Sequence, residues 1–264
     1  MGIVHQTLGK KEGNRMITEA VTVSEEAVVV PRGIYANGIK RVVDFTLALL
    51  AIIVLFPILL LLTVMGAVAM KGNPFFAQPR PGRIDKNGRE TIFKLLKFRT
   101  MTDETDGDGY LLSDEQRLNA YGRFLRSTSL DELPELWNIL RGDMAVVGPR
   151  PQLVRDMTFM TERQRKRHIV RPGLTGLAQI NGRNNITWLQ KFEYDLQYIN
   201  DGISFWKDMR IIFGTVFKVL DRSDIVREGT SSDMDFGDWL MAEGKVDQET
   251  YDACQAEAKE LIGV

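Results

Sequence analysis

Asp131 and Glu132 stand side by side in Ser129-Leu130-Asp131-Glu132-Leu133-Pro134, where the pattern reads as the start of a helix. If Ser129 is the cap, Glu132 falls at the third helical position and completes an S-x-x-E capping box. If Asp131 is the cap, Pro134 falls within the first turn, where its missing N–H costs little; this second reading is preferred. Either way both carboxylates meet the positive end of a helix dipole, which favours their ionised forms. An acid at a helix start is usually only a cap, so the neighbours decide. Lys94, Lys97 and Arg99 lie upstream, Arg123 and Arg126 just before the pair, and RGDMAVVGPRP just after it. In that last segment Pro149 and Pro151 bracket Arg150, fixing φ on both sides of a planar, bidentate phosphate binder. Carboxylates among arginines suit phosphoryl transfer. An aspartate can attack phosphorus, a neighbouring carboxylate can hold Mg²⁺, and the cations offset charge developing on the phosphoryl oxygens.

The elements that must position these groups begin with an apolar run. Phe45 to Met70 is 26 residues without a charge, long enough at helical rise to cross roughly 30 Å of hydrocarbon. About 40 residues precede it and no cleavage pattern is evident, so it is not a secretory signal. Pro57 sits at its middle, where a kink or break is expected. Each half is then roughly 18–20 Å long, enough to enter one leaflet and turn back. Lys40 and Arg41 precede the run, and Lys71, Arg80, Arg83, Lys86 and Arg89 follow it. A hairpin with both ends cytoplasmic satisfies both basic flanks. A proline-kinked spanning helix is the other reading.

After this run, Asn87-Gly88 between two extended stretches predicts a β-hairpin near 75–100. Helical stripes follow: Leu130, Leu133, Trp137 and Leu140; Trp188, Phe192 and Leu196; Phe205, Ile212 and Val216 to Val219. Such stripes are usually core, although FWKDMRIIFGTVFKVL also suits an amphipathic helix in a bilayer interface. The run Arg163, Arg165, Lys166 and Arg167 before His168 reads as a solvated face, and the histidine as a bystander. The glycines of RPGLTGLAQINGRN fit a turn-rich loop and match no Walker or dinucleotide pattern. Before the apolar run, VTVSEEAVVV allows a short strand. A loop and then a helix near 247–261 close the chain.

Charge and composition narrow the classes. One cysteine, Cys254, and two histidines, His5 and His168, leave neither a disulfide framework nor a zinc cluster. The net charge of −1 hides an asymmetry. From Glu228 onward ten acids face only Lys245 and Lys259, which is −8 and leaves the first 227 residues at +7. A basic body suggests an anionic surface or ligand. Aromatic residues are not interleaved with the basic run, which argues against nucleic acid.

Together, KRVVDF before the proline-centred apolar run, LLKFRTM, LRSTSLDELPELWNILRGDMAVVGPRP, RPGLTGLAQINGRN and KFEYDLQYI with ISFWKDMRIIF resemble the bacterial sugar transferases, the monotopic phosphoglycosyl transferases. The resemblance covers residues 38–222 in unbroken order. It implies a membrane-bound enzyme that moves a sugar 1-phosphate from a UDP-sugar to a polyprenyl (undecaprenyl) phosphate, releases UMP, and initiates exopolysaccharide, capsule, O-antigen or glycoprotein glycan assembly. It implies a covalent intermediate on Asp131, with Glu132 beside an Mg²⁺ that Asp131 also meets. Lys97, Arg126 and Arg150 carry over as phosphate contacts, and Asp143, Arg183 and Asp208 as supporting or nucleotide-side residues. The family's membrane helix is re-entrant and broken at a proline, here Pro57. The residue before that proline is often serine in the family, whereas here it is Phe56.

The expected fold is therefore α+β and mainly helical: a monotopic membrane protein with a re-entrant helix, a β-hairpin and amphipathic interfacial helices. Its parts are an N-terminal extension (1–37), the membrane helix (38–72), a cytoplasmic catalytic domain (73–222) and an acidic extension (223–264). The setting implied is the bacterial inner membrane, with the catalytic domain on its cytoplasmic face. The apolar interface is compatible with a homodimer. The rival reading is a non-catalytic membrane adaptor binding anionic lipid; it gives no reason for an arginine locked between two prolines.

Overall fold

A computed structural model describes residues 31–182, 186–221 and 234–263. The VTVSEEAVVV stretch and Arg183 lie outside the described residues. After a short π-helical turn, Tyr35–Ile39, helix α1 runs from Lys40 to Ala69. Pro57 lies inside it, and the helical assignment continues on both sides. Asp44, Ala48 and Ile52 near its start, and Leu62 and Gly66 near its end, are buried at four-residue spacing. The other faces are apolar too but uncovered: Leu50, Ile53, Val54, Phe56, Leu61 and Val68 are all more than half exposed. Among the described residues this is the one helix long and apolar enough to cross a membrane.

Strands β1 (Phe75–Ile84) and β2 (Glu90–Phe98) pair antiparallel with Phe76 opposite Lys97, so the expected hairpin forms. Its turn is closed by Asp85 Oδ1, which accepts from the N–H groups of Asn87 (2.7 Å) and Arg89 (3.0 Å). Gly88 takes φ +78°, which a side chain would resist.

Helix α2 (Ala120–Thr128) ends at Ser129, whose φ of +55° is left-handed. A 3₁₀ turn, Leu130–Glu132, leads into α3 (Glu135–Arg141), with Pro134 at the N-cap. Both expected caps are therefore corrected: neither Ser129 nor Asp131 starts the long helix, and Pro134 lies before it, where no N–H is required. The buried face of α3 also differs from the expected stripe. Leu136 and Ile139 are buried, whereas Trp137 is half exposed.

Strands β3 (Ala145–Val147) and β4 (Gly173–Thr175) pair in parallel. A Cβ on Gly173 or Gly176 would collide with the Gly148 backbone, so glycine here permits close chain approach. Helices α4 (Trp188–Asn200) and α5 (Phe205–Asp221) follow, with Trp188, Phe192 and Leu196 buried as the spacing predicts. On α5 Ile211 is buried, while Trp206, Phe213 and Phe217 are exposed. Helices α6 (Phe236–Ala242) and α7 (Gln248–Ile262) complete the described chain.

One core joins α1 to the hairpin and α3 through Ala48, Ile52, Leu95, Leu136, Ile139 and Met144. Another joins the far end of α1, at Leu62 and Met70, to Phe98, Tyr121 and Leu125. Both ends of α1 thus rest on the body. Arg41 donates to the last carbonyls of α3, Ile139 (2.6 Å) and Leu140 (2.8 Å), satisfying groups that a helix end leaves free. At the other end Tyr121 donates its hydroxyl to the Leu62 carbonyl (2.8 Å), and Asn119 Nδ2 donates to Ala69 O (3.1 Å).

Candidate active site

The turn between α2 and α3 presents Asp131 and Glu132 to a cleft of about 790 Å³, also lined by Lys97, Glu135, Arg126 and Arg150. Lys97 Nζ lies 3.1 Å from Glu132 Oε1, 3.3 Å from Glu135 Oε1 and 3.8 Å from Asp131 Oδ2. Arg150 grips Glu132 with both terminal nitrogens, Nη1 at 3.4 Å from Oε2 and Nη2 closer on Oε1. Arg126 Nε donates to Thr100 Oγ1 at 3.1 Å on the same cleft.

These contacts drive neighbouring carboxyls apart. Burial opposes the charge on Glu132, but Arg150 and Lys97 outweigh it and hold this carboxyl far below its usual range. Asp131 moves the other way: burial, then the adjacent Glu132 charge, raise it against the pull of Lys97 and Arg150. The expectation that a helix dipole would favour ionised Asp131 is thus corrected. A three-residue 3₁₀ turn aligns few peptide dipoles, and desolvation dominates. Glu135, only 1% exposed, is pushed up to about 7 by burial and then by Glu132. Carboxyls set apart in this way can take different roles in one reaction.

The backbone around Lys97 is strapped from behind. Asn138 on α3 is fully buried; its Oδ1 accepts from Leu96 N (3.0 Å) and its Nδ2 donates to Lys94 O (2.8 Å). One side chain therefore holds the strand at two backbone groups just ahead of Lys97. The Arg150 loop is held in the same manner. Arg167 Nη2 donates to Arg150 O (2.6 Å), and Arg80 Nη1 to Pro151 O (3.2 Å).

Arg167 also corrects the reading of its segment as a solvated face. It is 1% exposed and paired with buried Asp195 at 2.6 Å. Arg163 binds Glu193, and Arg165 binds Glu90 at 2.8 Å. His168 is buried, its pKa lowered to about 4 chiefly by desolvation, so it is neutral near pH 7.

Asp143 and Asp208 do not line the cleft. Asp143 Oδ2 accepts from Asn138 Nδ2 at 3.2 Å. Asp208 is buried where α1 meets α5; it accepts from Lys40 Nζ (2.6 Å), Tyr35 (2.8 Å) and Tyr198 (2.7 Å). Sequence reasoning missed Glu135, Asn138, Arg80 and Arg167. Only Glu135 had a signal, its position three residues after Glu132 on a helical repeat.

Among the described residues no group of three or more His, Cys, Asp or Glu forms a metal cage. The donor chemistry nevertheless fits Mg²⁺, which takes one or two carboxylates together with substrate phosphate oxygens. Glu135 Oε1, buried 3.3 Å from Lys97 Nζ, adds a third carboxylate to the same cleft.

Residues 35–222 match the family described as Bacterial sugar transferase. The chain is 48% identical over 189 residues to the uncharacterized sugar transferase EpsL of Bacillus subtilis, covering 69% of this chain and 87% of that one. It is 42% identical over 196 residues to the UDP-glucose:undecaprenyl-phosphate glucose-1-phosphate transferase of Klebsiella pneumoniae, covering 69% of this chain and 41% of that protein. The exopolysaccharide production protein ExoY of Sinorhizobium fredii is 36% identical over 229 residues, covering 78% of this chain and 95% of ExoY. A match this long, over the segment that carries the adjacent carboxyl pair and the proline-flanked arginine, places the chain among the bacterial sugar transferases.

Proposed function

We propose that this protein transfers a sugar 1-phosphate from a UDP-sugar to a polyprenyl phosphate such as undecaprenyl phosphate, releasing UMP. This is a transferase reaction of phosphorus-containing groups and begins the assembly of a surface glycan such as an exopolysaccharide. The observation that carries it is the divergence of Asp131 and Glu132 in a cleft lined by Lys97 and Arg150.

In the first half-reaction an Asp131 oxygen attacks the sugar-side phosphorus. The bond from that phosphorus to the bridging oxygen breaks, and UMP leaves with the oxygen and its electron pair. A carboxylate made basic by burial is a better nucleophile than an ordinary one. Glu132, already held by Arg150 and Lys97, stays charged and fixes both cations near the transferring group. In the second half-reaction a lipid phosphate oxygen attacks the same phosphorus. The bond to Asp131 breaks, leaving a polyprenyl diphosphate sugar and the free carboxylate. Mg²⁺, when bound by Asp131 and Glu132, supplies charge neutralisation for the phosphates.

The apolar outer faces of α1 and α5 suit a membrane surface, and contact with the body at both ends of α1 supports a monotopic, re-entrant placement. The lipid acceptor then reaches the cleft from the bilayer side, and UDP-sugar from the cytoplasm.

The test is direct. Purified protein with Mg²⁺ and a panel of UDP-sugars, without lipid, should release UMP and gain the mass of one phosphosugar on Asp131. No UMP from any sugar in the panel would overturn the proposal.

A further inference from the structure

The family match ends at residue 222, yet residues 234–263 fold onto the body. Phe236 and Leu240 are fully buried against Phe159, Met160, Trp188 and Phe192. A Cβ on Gly237 would come within 2.5 Å of the Phe159 ring, so this packing is close. Trp188 Nε1 donates to Met234 O at 3.0 Å. The acidic end of the chain is thus a docked arm, and Asp235 at its start reaches the cleft, where it lines the same cavity as Asp131, Arg150 and Trp188 of α4.

Asp156 connects the arm to the arginine loop. It is 2% exposed; its Oδ1 accepts from Phe236 N–H (2.9 Å) and its Oδ2 from Leu153 N–H (3.0 Å), three residues beyond Arg150. One buried carboxylate therefore fixes the arm and the loop relative to each other. Asp235 caps α6 without a side-chain cap bond; it pairs instead with Arg155, which is half exposed. Its carboxylate remains an acceptor on the cleft wall.

We propose that the arm of residues 234–262 is the cleft wall that selects the sugar of the nucleotide substrate, with Asp235 as acceptor for its hydroxyl or amide N–H groups and Asp156 as the strut that sets the distance to the Arg150 loop. The proposal rests on the phosphosugar-transfer reading. Uridine, diphosphate and lipid phosphate are common to that reaction, so the shared body can bind them. The sugar is the part that varies: relatives carry names specifying glucose (Klebsiella pneumoniae) and galactose (Erwinia amylovora). A wall built outside the family-matched segment can differ between members without disturbing Asp131 or Arg150.

The full-length chain in lipid nanodiscs tests both parts. Hydrogen exchange needs no substrate. Gly237→Ala should loosen 236–262 and also raise exchange at the Leu153 amide at least tenfold; release of the arm with Leu153 unchanged overturns the strut. If Gly237→Ala abolishes the cooperative thermal transition, Asp156→Asn, which removes one acceptor, takes its place with the same readout at Leu153. UMP release across a UDP-sugar panel then reads selection. Asp235→Ala should change the kcat/KM ratio between the two best sugars at least tenfold with the thermal midpoint unchanged. Ratios within twofold of wild type overturn the wall. If wild type releases no UMP from any sugar, the proposed function fails, and the exchange result still decides whether the arm braces the loop.

Discussion

Lys97 Nζ sits 3.1 Å from Glu132 Oε1, and this contact joins the β-hairpin to the turn carrying the candidate nucleophile. Lys97 faces three carboxyls, and both it and Glu132 are largely withdrawn from water. Its ammonium thus offsets charge that would otherwise be stranded.

Lys97→Met keeps the length of the side chain and removes the charge. Taking one partner from a buried ion pair costs about 3–5 kcal/mol when the other stays charged, and part of that is relieved here by protonation of Glu135. The expected outcome is a lower thermal midpoint and a hundredfold or greater fall in UMP release. A fall of less than tenfold would show that Lys97 does not serve the transferring group.

Arg150→Lys preserves charge but not the two-nitrogen grip on Glu132. We expect kcat to fall roughly 100–1,000-fold, in line with losing one preorganised donor, with little change in the melting curve. Equal turnover by the lysine variant would mean that charge alone suffices.

Glu135 gives a pH signature. Its folded pKa of about 7 lies above the ordinary 4.5, so between these values the folded state holds more protons than the unfolded one. Stability contributed by this group is therefore lost as pH rises from 4.5 to 7. Glu135→Gln should gain stability relative to wild type across that window and level off above it. Parallel denaturation curves at pH 4.5, 6 and 7.5 check this, and a constant difference would contradict it.

Asp208 tests placement. Replacing it by Asn leaves buried Lys40 without a charged partner beyond Asp44 at 3.5 Å. The expected outcome is a lower melting temperature and weaker retention on membranes, with KM for the UDP-sugar unchanged within twofold. A tenfold rise in KM at unchanged stability would return Asp208 to the nucleotide side.

The outer face of α5 carries exposed Phe213 and Phe217. The double change Phe213→Ser, Phe217→Ser removes apolar area worth about 1.5–3 kcal/mol per fully buried ring. Sedimentation with anionic vesicles should show weaker binding that is not abolished, because α1 remains. Unaltered binding would place this face away from lipid.

Much of this architecture was legible in sequence because local rules fix it. A 26-residue uncharged run must be a long apolar helix, Asn87-Gly88 must turn a hairpin, and Trp188, Phe192 and Leu196 share one helical face. The acid pair and the proline-bracketed Arg150 were visible as neighbouring motifs for the same reason. What local rules could not supply was the helix start. Left-handed Ser129 splits the expected helix into a 3₁₀ turn and α3, which frees Asp131 from capping.

By itself the sequence determined the acid pair, its neighbouring cations and the kind of chemistry they suit, since residue type and short spacing are local properties. Tertiary structure alone decided their state. Charge at 3–4 Å comes from segments far apart in the chain: Lys97 from the hairpin and Arg150 from its loop, which Arg167 holds from beneath. Adjacent carboxyls become unlike only when those segments meet, because a pKa depends on the surrounding field and burial and not on the order of residues.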